Sequence, residues 1–414
     1  MTPIPWTRFA SVDTHHDGAA LTSSRPCPVC NGLEHRVLLT LSDFQFYSDS
    51  DDYPKQADVK TVICRQCYCV FMNPCYSAFG SQILFAEAGK SYGAMPNHVE
   101  AQITWLQSKG ALKGKSVTLD VGCYEGDFLR LLPTDAKKIG VDIDRAAVER
   151  GQNRQIDHQI TLVAGDFANF QLNGVDPDLI TMIHVLEHLP DPVSVLRHLR
   201  ELSKDSVYLF IEIPIIERGQ TNDINGFFSV QHMTHFSQNT VAWCLAEAGW
   251  GIVDTEKVAS YRALRILALP SRDEMGATQF QPCSGDVVAA YDSLRFWYES
   301  LISVELKIKE FPISSRIVFW GAGAHLEFLF QMTTIFTKFS SSTFALVDGD
   351  AAKRGKTWRG IPILDPNILA GIDWKETAVV VSSYGFQQEI SDMLTTFGAP
   401  DGRVLKLYDE IQRY

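Results

Sequence analysis

One join restricts the possible folds more than any other feature. The apolar run Val117-Thr-Leu-Asp120-Val passes directly through Gly122 and Gly126 into the helical pattern that begins at Asp127. A buried strand that turns through glycines into a helix is the opening unit of a parallel sheet, because parallel neighbours need a crossover to pair. The unit then recurs. Residues 138–142, 160–164, 179–183 and 207–213 read as strands, a helix is expected around 193–202, and 250–258 and 263–269 read as closing strands. This alternation predicts an α/β fold, a sheet with helices on both faces. A second βα series follows Pro312, with strands at 316–320, 344–347 and 378–382. The two series repeat an architecture and not a sequence.

The rest of the chain divides around these series. Residues 1–25 read as a flexible polar leader, and 26–75 as a short-stranded, cysteine-bearing domain. Residues 76–270 hold the first βα series, with a helical stretch bearing Val99, Ile103, Leu106 and Leu112 before it. Residues 271–310 read as a linker and a helix striped with Val287, Tyr291, Leu294, Tyr298 and Leu301, and 311–414 as the C-terminal domain. The 414 residues carry a net charge of −12, which repels phosphate polymers and makes nucleic acid a poor partner. The most apolar window, 317–336, is broken by Gly321, Gly323, His325 and Glu327, so no membrane span is expected. No signal peptide is recognisable, and the expected compartment is the cytoplasm.

Nine cysteines in a reducing compartment are not a disulfide framework, and four of them form two pairs. Cys27-Pro-Val-Cys30 and Cys64-Arg-Gln-Cys67 each place two thiolates on one side of a tight knuckle. Two knuckles complete a tetrahedral all-sulfur site for a structural Zn²⁺ ion, with no coordination position open for catalysis. A redox pair would need one knuckle at a helix start and leaves the second unexplained.

The first glycine turn, Asp120-x-Gly122-x-x-x-Gly126, is not the Gly-x-Gly-x-x-Gly of a dinucleotide site. An acidic residue before the glycines suits a ligand with a cationic amino group and opposes a pyrophosphate. The pattern resembles motif I of class I S-adenosylmethionine (SAM) methyltransferases, which implies SAM as cofactor. Asp142, at the end of the second strand, can accept from ribose hydroxyls. Asp166 can take the adenine amino group and Phe167 can pack on the adenine face. The alternatives are helix caps for Asp144 and Asp166 and a core ring for Phe167. In His184-Val-Leu-Glu187-His188, which also resembles the family, His184 falls nearer the cofactor pocket and His188 reads as a structural hydrogen-bonding group.

After the fifth strand comes Gln231-His232-Met-Thr-His235-Phe236-Ser237, a polar loop at the end of the sheet where α/β enzymes place their chemistry. A zinc domain, a SAM domain and a second Rossmann-like domain, in that order, resemble the three-domain nucleotide-sugar C-methyltransferases of deoxysugar biosynthesis over residues 26–414. The resemblance implies a sugar-nucleotide substrate and catalysis at this loop. His232 matches the family histidine and Phe236-Ser237 its Phe-Ser, so His232 is the expected base. Gln231 stands where the family has glutamate, and an amide cannot take a proton. Oxygen therefore stands beside carbon as a possible acceptor atom. Two rival readings remain. Gly321-Ala-Gly323 followed by Asp348 suits an NAD(P)-dependent oxidoreductase, whereas the resemblance makes this domain a cover over the sugar nucleotide. Lys353-Arg354-Gly-Lys356 reads as a diphosphate contact or as a solvated basic run. The other rival is a non-catalytic zinc scaffold with a vestigial SAM fold.

Overall fold

The structure, a computed structural model, describes residues 4–8, 21–46, 55–84, 96–114, 116–133, 135–154, 158–167, 176–226, 228–258, 261–271 and 280–412. The N-terminal cysteine region is built on β1 (His35–Gln45), β2 (Gln56–Cys64) and β3 (Val70–Met72), joined antiparallel. The strands are longer than the sequence suggests, 11 and 9 residues for the first two. They are rich in β-branched and aromatic residues, and Leu41, Phe44, Val59 and Ile63 are buried in the core they share with the C-terminal domain.

The central sheet contains β4 (Val117–Val121), β5 (Lys137–Asp142), β6 (Ile160–Ala164), β7 (Leu179–Ile183) and β8 (Tyr208–Pro214). The short β9 (Thr234–His235) leaves this sheet and pairs antiparallel with β3. The sheet is completed by β10 (Trp250–Lys257) and β11 (Ala263–Pro270), giving the order β10-β11-β8-β7-β4-β5-β6. The first five strands are mutually parallel, but β11 runs antiparallel to both β8 and β10. The closing pair is a hairpin, which returns β11 beside β8 without a crossover helix. The C-terminal sheet holds β12 (Arg316–Trp320), β13 (Thr343–Val347), β14 (Thr357–Trp358), β15 (Ile361–Leu364), β16 (Thr377–Val381) and β17 (Val404–Leu405), in the order β14-β15-β13-β12-β16-β17.

Two described pieces of the expected leader are packed. Thr7 bridges Phe344 through both backbone groups, and Thr22–Ser23 pairs with Cys75–Tyr76. The rest of that leader, and residues 272–279 of the expected linker, lie outside the described residues. The helix Ser284–Glu310 spans 27 residues and ties the central unit to the C-terminal one, with Ser293 and Trp297 donating to the carbonyls of Ile216 and Ile224. Among the described residues no helix is long and apolar enough to cross a membrane.

Candidate active site

Parallel pairing puts the C-terminal ends of β4, β5, β7 and β8 on one edge, and the candidate residues collect there. Gly122 has φ +78°, and a Cβ on it would lie 2.2 Å from Val185 Cγ2, so this turn accepts glycine alone. The glycine lets the turn pack directly against Val185. Asp120 is 3% exposed and accepts from the Thr181 hydroxyl at 2.6 Å. Burial pushes its carboxyl up to about 7, against the pull of Thr181. Asp142 accepts from the Tyr124 amide at 2.7 Å through one oxygen and from the Asp144 amide at 2.8 Å through the other. It braces the glycine turn, and each oxygen keeps a second lone pair for a hydroxyl.

The remaining expected cofactor residues divide. Asp144 caps the helix Arg145–Asn153 through the Ala147 amide, the alternative role foreseen for it. Asp166 is exposed beyond β6. Phe167 is 6% exposed and packs in the core beside His198, with ring centroids 5.9 Å apart, so its ring serves the interior.

His184 adopts φ +53° at the end of β7 and stands between two carboxylates, 3.4 Å from Glu187 and 3.4 Å from Glu212. Desolvation lowers its pKa, but the two carboxylates outweigh it and raise the imidazole to about 10, so His184 is a cation here. Glu212 is fully buried in β8. It accepts from Gln102 at 2.6 Å, from Arg265 at 2.7 Å and from the Tyr261 hydroxyl. Tyr261 in turn stacks on His98 at 3.7 Å. Glu212 and Arg265 are directly opposed in the β8–β11 register, both within apolar runs. Glu212, Arg265, Tyr261 and His98 were not among the expected site residues. The signal was a single charge in each of two apolar strands, which becomes a pair only once β11 is known to return beside β8.

Breaking that pair is expected to be costly. Arg265→Met leaves a fully buried carboxylate without one of its two cationic partners and should destabilise the fold by about 3–5 kcal/mol. Denaturant unfolding checks this, and Glu212→Gln combined with Arg265→Met should recover most of the loss.

His232 is half-buried, with its ring 5.0 Å from that of His188 and 5.8 Å from that of His235. Burial first, and the neighbouring His188 next, hold its pKa well below the ordinary histidine value. The Gln231 backbone carbonyl lies 3.0 Å from His188 Nδ1. His235 is buried in β9. The cysteine domain holds this loop in place. Met72 donates to the Met233 carbonyl at 2.9 Å, Arg25 reaches the same carbonyl at 2.6 Å, and the Tyr76 hydroxyl donates to Val230.

The four thiols Cys27, Cys30, Cys64 and Cys67 converge, all sulfurs lying within 4.8 Å of one another. Cys27 and Cys67 are 3.5 Å apart and Cys30 and Cys64 3.6 Å, close to the separation of about 3.8 Å that tetrahedral Zn–S bonds of about 2.3 Å require. Gln66 also donates its amide to Cys64 Sγ at 3.3 Å. The donor set and spacing fit zinc. In the C-terminal domain Asp348 takes the Ala322 amide at 2.8 Å and Lys353 at 3.1 Å, while Arg354 pairs with Asp365. Lys353 and Arg354 of that run are thus held by carboxylates of the chain itself.

The strand order with its one reversed strand, and the glycine turn at the end of β4, define the Rossmann-like fold of class I SAM methyltransferases. Residues 101–255 match the family model Methyltransf_23, a methyltransferase domain. The ubiquinone biosynthesis O-methyltransferase of Ralstonia nicotianae is 29% identical over 113 residues, 26% of this chain and 47% of that one. Its namesake in Pseudomonas paraeruginosa is 27% identical over 114 residues, 27% of this chain and 49% of that one. The chain spans about half the length of these curated relatives. The magnesium protoporphyrin IX methyltransferase of Synechocystis PCC 6803, solved with bound SAH, is 22% identical and covers 47% of this chain and 88% of its own, with a TM-score of 0.35.

Proposed function

We propose that this protein is a SAM-dependent methyltransferase acting on a small acceptor, a nucleotide-linked sugar or related glycan precursor, with methylation at oxygen favoured over carbon. The carrying observation is the strand-end arrangement of Asp120, the Gly122 turn and Asp142 within the segment that matches the methyltransferase family. SAM supplies an electrophilic methyl group on a sulfonium, which leaves as the neutral thioether once the acceptor's electron pair bonds to carbon. The chain's task is alignment, exclusion of water and removal of the acceptor's proton. Asp120 would face the amino group of the cofactor, whose positive charge would favour its ionised form, and Asp142 would offer its remaining lone pairs to ribose hydroxyls. Proton removal falls to the histidine cluster beyond β7 and β8. Oxygen is favoured because Gln231 cannot act with His232 as an acid–base pair, and because the matched relatives carry O-methyltransferase names. The cysteine site would hold structural zinc.

Asp142→Ala should lower SAM affinity at least about tenfold, since charge-assisted bonds worth about 1.5–3 kcal/mol each are lost. Calorimetry with SAM checks this, and unchanged binding would place the pocket elsewhere. Labelled SAM incubated with a panel of nucleotide sugars tests the acceptor class. Binding of NAD(P) without SAM would instead select the oxidoreductase reading.

A further inference from the structure

We infer that Glu187, His188 and His232 form a binding site for a single divalent first-row transition cation, separate from the four-cysteine site. The inference rests on the methyltransferase reading only for what the ion would do there. One donor atom from each residue lies within 4.8 Å of the others, and Glu187 Oε1 is 3.9 Å from His188 Nε2. Donors about 2.0–2.2 Å from one shared ion lie about 3.3–3.6 Å apart in a tetrahedron, so closure needs an inward shift of the side chains on the order of 1 Å.

Two further observations point to a ligand. Glu187 is 1% exposed, and neither of its carboxylate oxygens makes a hydrogen bond. His184 Nδ1 lies 3.4 Å from Oε1, an electrostatic contact without hydrogen-bond geometry that leaves Oε2 with no partner of its own. A carboxylate this deep normally has its lone pairs taken, and a coordinated cation would take them. Secondly, His188 Nδ1 faces the Gln231 carbonyl, which can only accept. Its proton therefore sits on Nδ1, leaving the Nε2 lone pair toward Glu187. Metal-ligating histidines are oriented by this kind of backbone contact. The supports are firm: Glu187 and His188 share the turn Leu186–His188, and the His232 loop is bonded to the cysteine sheet.

Two imidazoles and one carboxylate suit Zn²⁺, Mn²⁺, Fe²⁺ or Co²⁺ better than Mg²⁺ or Ca²⁺. Three protein ligands leave positions open, unlike the four-thiolate site. An ion there would hold the acceptor hydroxyl as its alkoxide, the proton passing to solvent, at the strand ends where the methyl group is delivered.

The test is Mn²⁺ titration of the full chain, with its cysteine site loaded, followed by the loss of the free-ion EPR signal. One Mn²⁺ bound per chain is expected, with affinity at least about tenfold weaker in Glu187→Gln and in His232→Ala, the loss typical of a removed ligand or its support. The second variant lies in the loop and guards against misfolding of the first. No Mn²⁺ bound, or binding equal in wild type and both variants, would overturn the inference. Methyl transfer from labelled SAM, measured on the same samples, tests the methyltransferase reading independently of the ion count.

Discussion

Replacing Cys30 by Ser should remove the metal, unfold the N-terminal module and abolish most turnover while leaving SAM binding largely intact. Structural zinc sites supply apparent binding free energy on the order of 10 kcal/mol, and the two knuckles at the outer end of the module are held together by that bond, whereas Leu41, Phe44 and Val59 pack into the shared core. The effect reaches the chemistry through β3. Its pairing with β9 and the contacts of Arg25 and Met72 with the Met233 carbonyl hold the loop that carries His232. A shift of about 1 Å in such a group is enough to lose about 10²-fold in rate. Asp120 and Asp142, in contrast, are braced from within the central sheet by Thr181 and by the Tyr124 and Asp144 amides. Elemental analysis should find one equivalent of zinc fewer in the variant than in the wild type. Calorimetry with SAM and hydrogen exchange over residues 26–75 should then separate retained cofactor binding from lost protection. Freshly purified wild-type protein without metal would sink the assignment.

His232→Ala should lower turnover by roughly 10²–10⁴ with SAM affinity retained, the range that loss of acid–base assistance produces. The residue sits among His188, His235 and Glu187 and supplies no contact to Asp120 or Asp142, which are braced by Thr181 and by the Tyr124 and Asp144 amides, so the loss should fall on kcat. That expectation holds whether the imidazole takes the acceptor's proton itself or holds the ion that acidifies it. Gln231→Glu discriminates the acceptor atom. It should do little to an O-methyltransferase and should raise the rate of a weakened C-methyltransferase. A His232→Ala variant turning over the true acceptor at near wild-type rate would make His232 structural and move proton removal elsewhere.

Much of the architecture is local information, and it was legible. The βα alternation, the glycine turn and the two Cys-x-x-Cys knuckles are set by residues a few positions apart, where backbone sterics and hydrophobic period act directly. Even the meeting of the knuckles follows from one hairpin, because β1 and β2 bring His35 opposite Cys64. The reversed β11 was not legible, since its apolar pattern suits either direction of pairing. With it went the Glu212–Arg265 pair, which exists only in that register.

The sequence by itself determined the α/β class, the strand-end carboxylates and the cysteine site. Tertiary structure alone decided which side chains face one another at the chemistry. His184 became a cation held between Glu187 and Glu212, Phe167 turned into the core, and Asp142 took up two backbone amides before any ligand. The reason is range. Strand and turn preferences are summed over neighbouring residues, whereas charge, desolvation and hydrogen bonding at Glu187, His188 and His232 depend on segments more than 40 positions apart in the chain, brought within a few ångströms by the sheet and by the cysteine module that pins the loop.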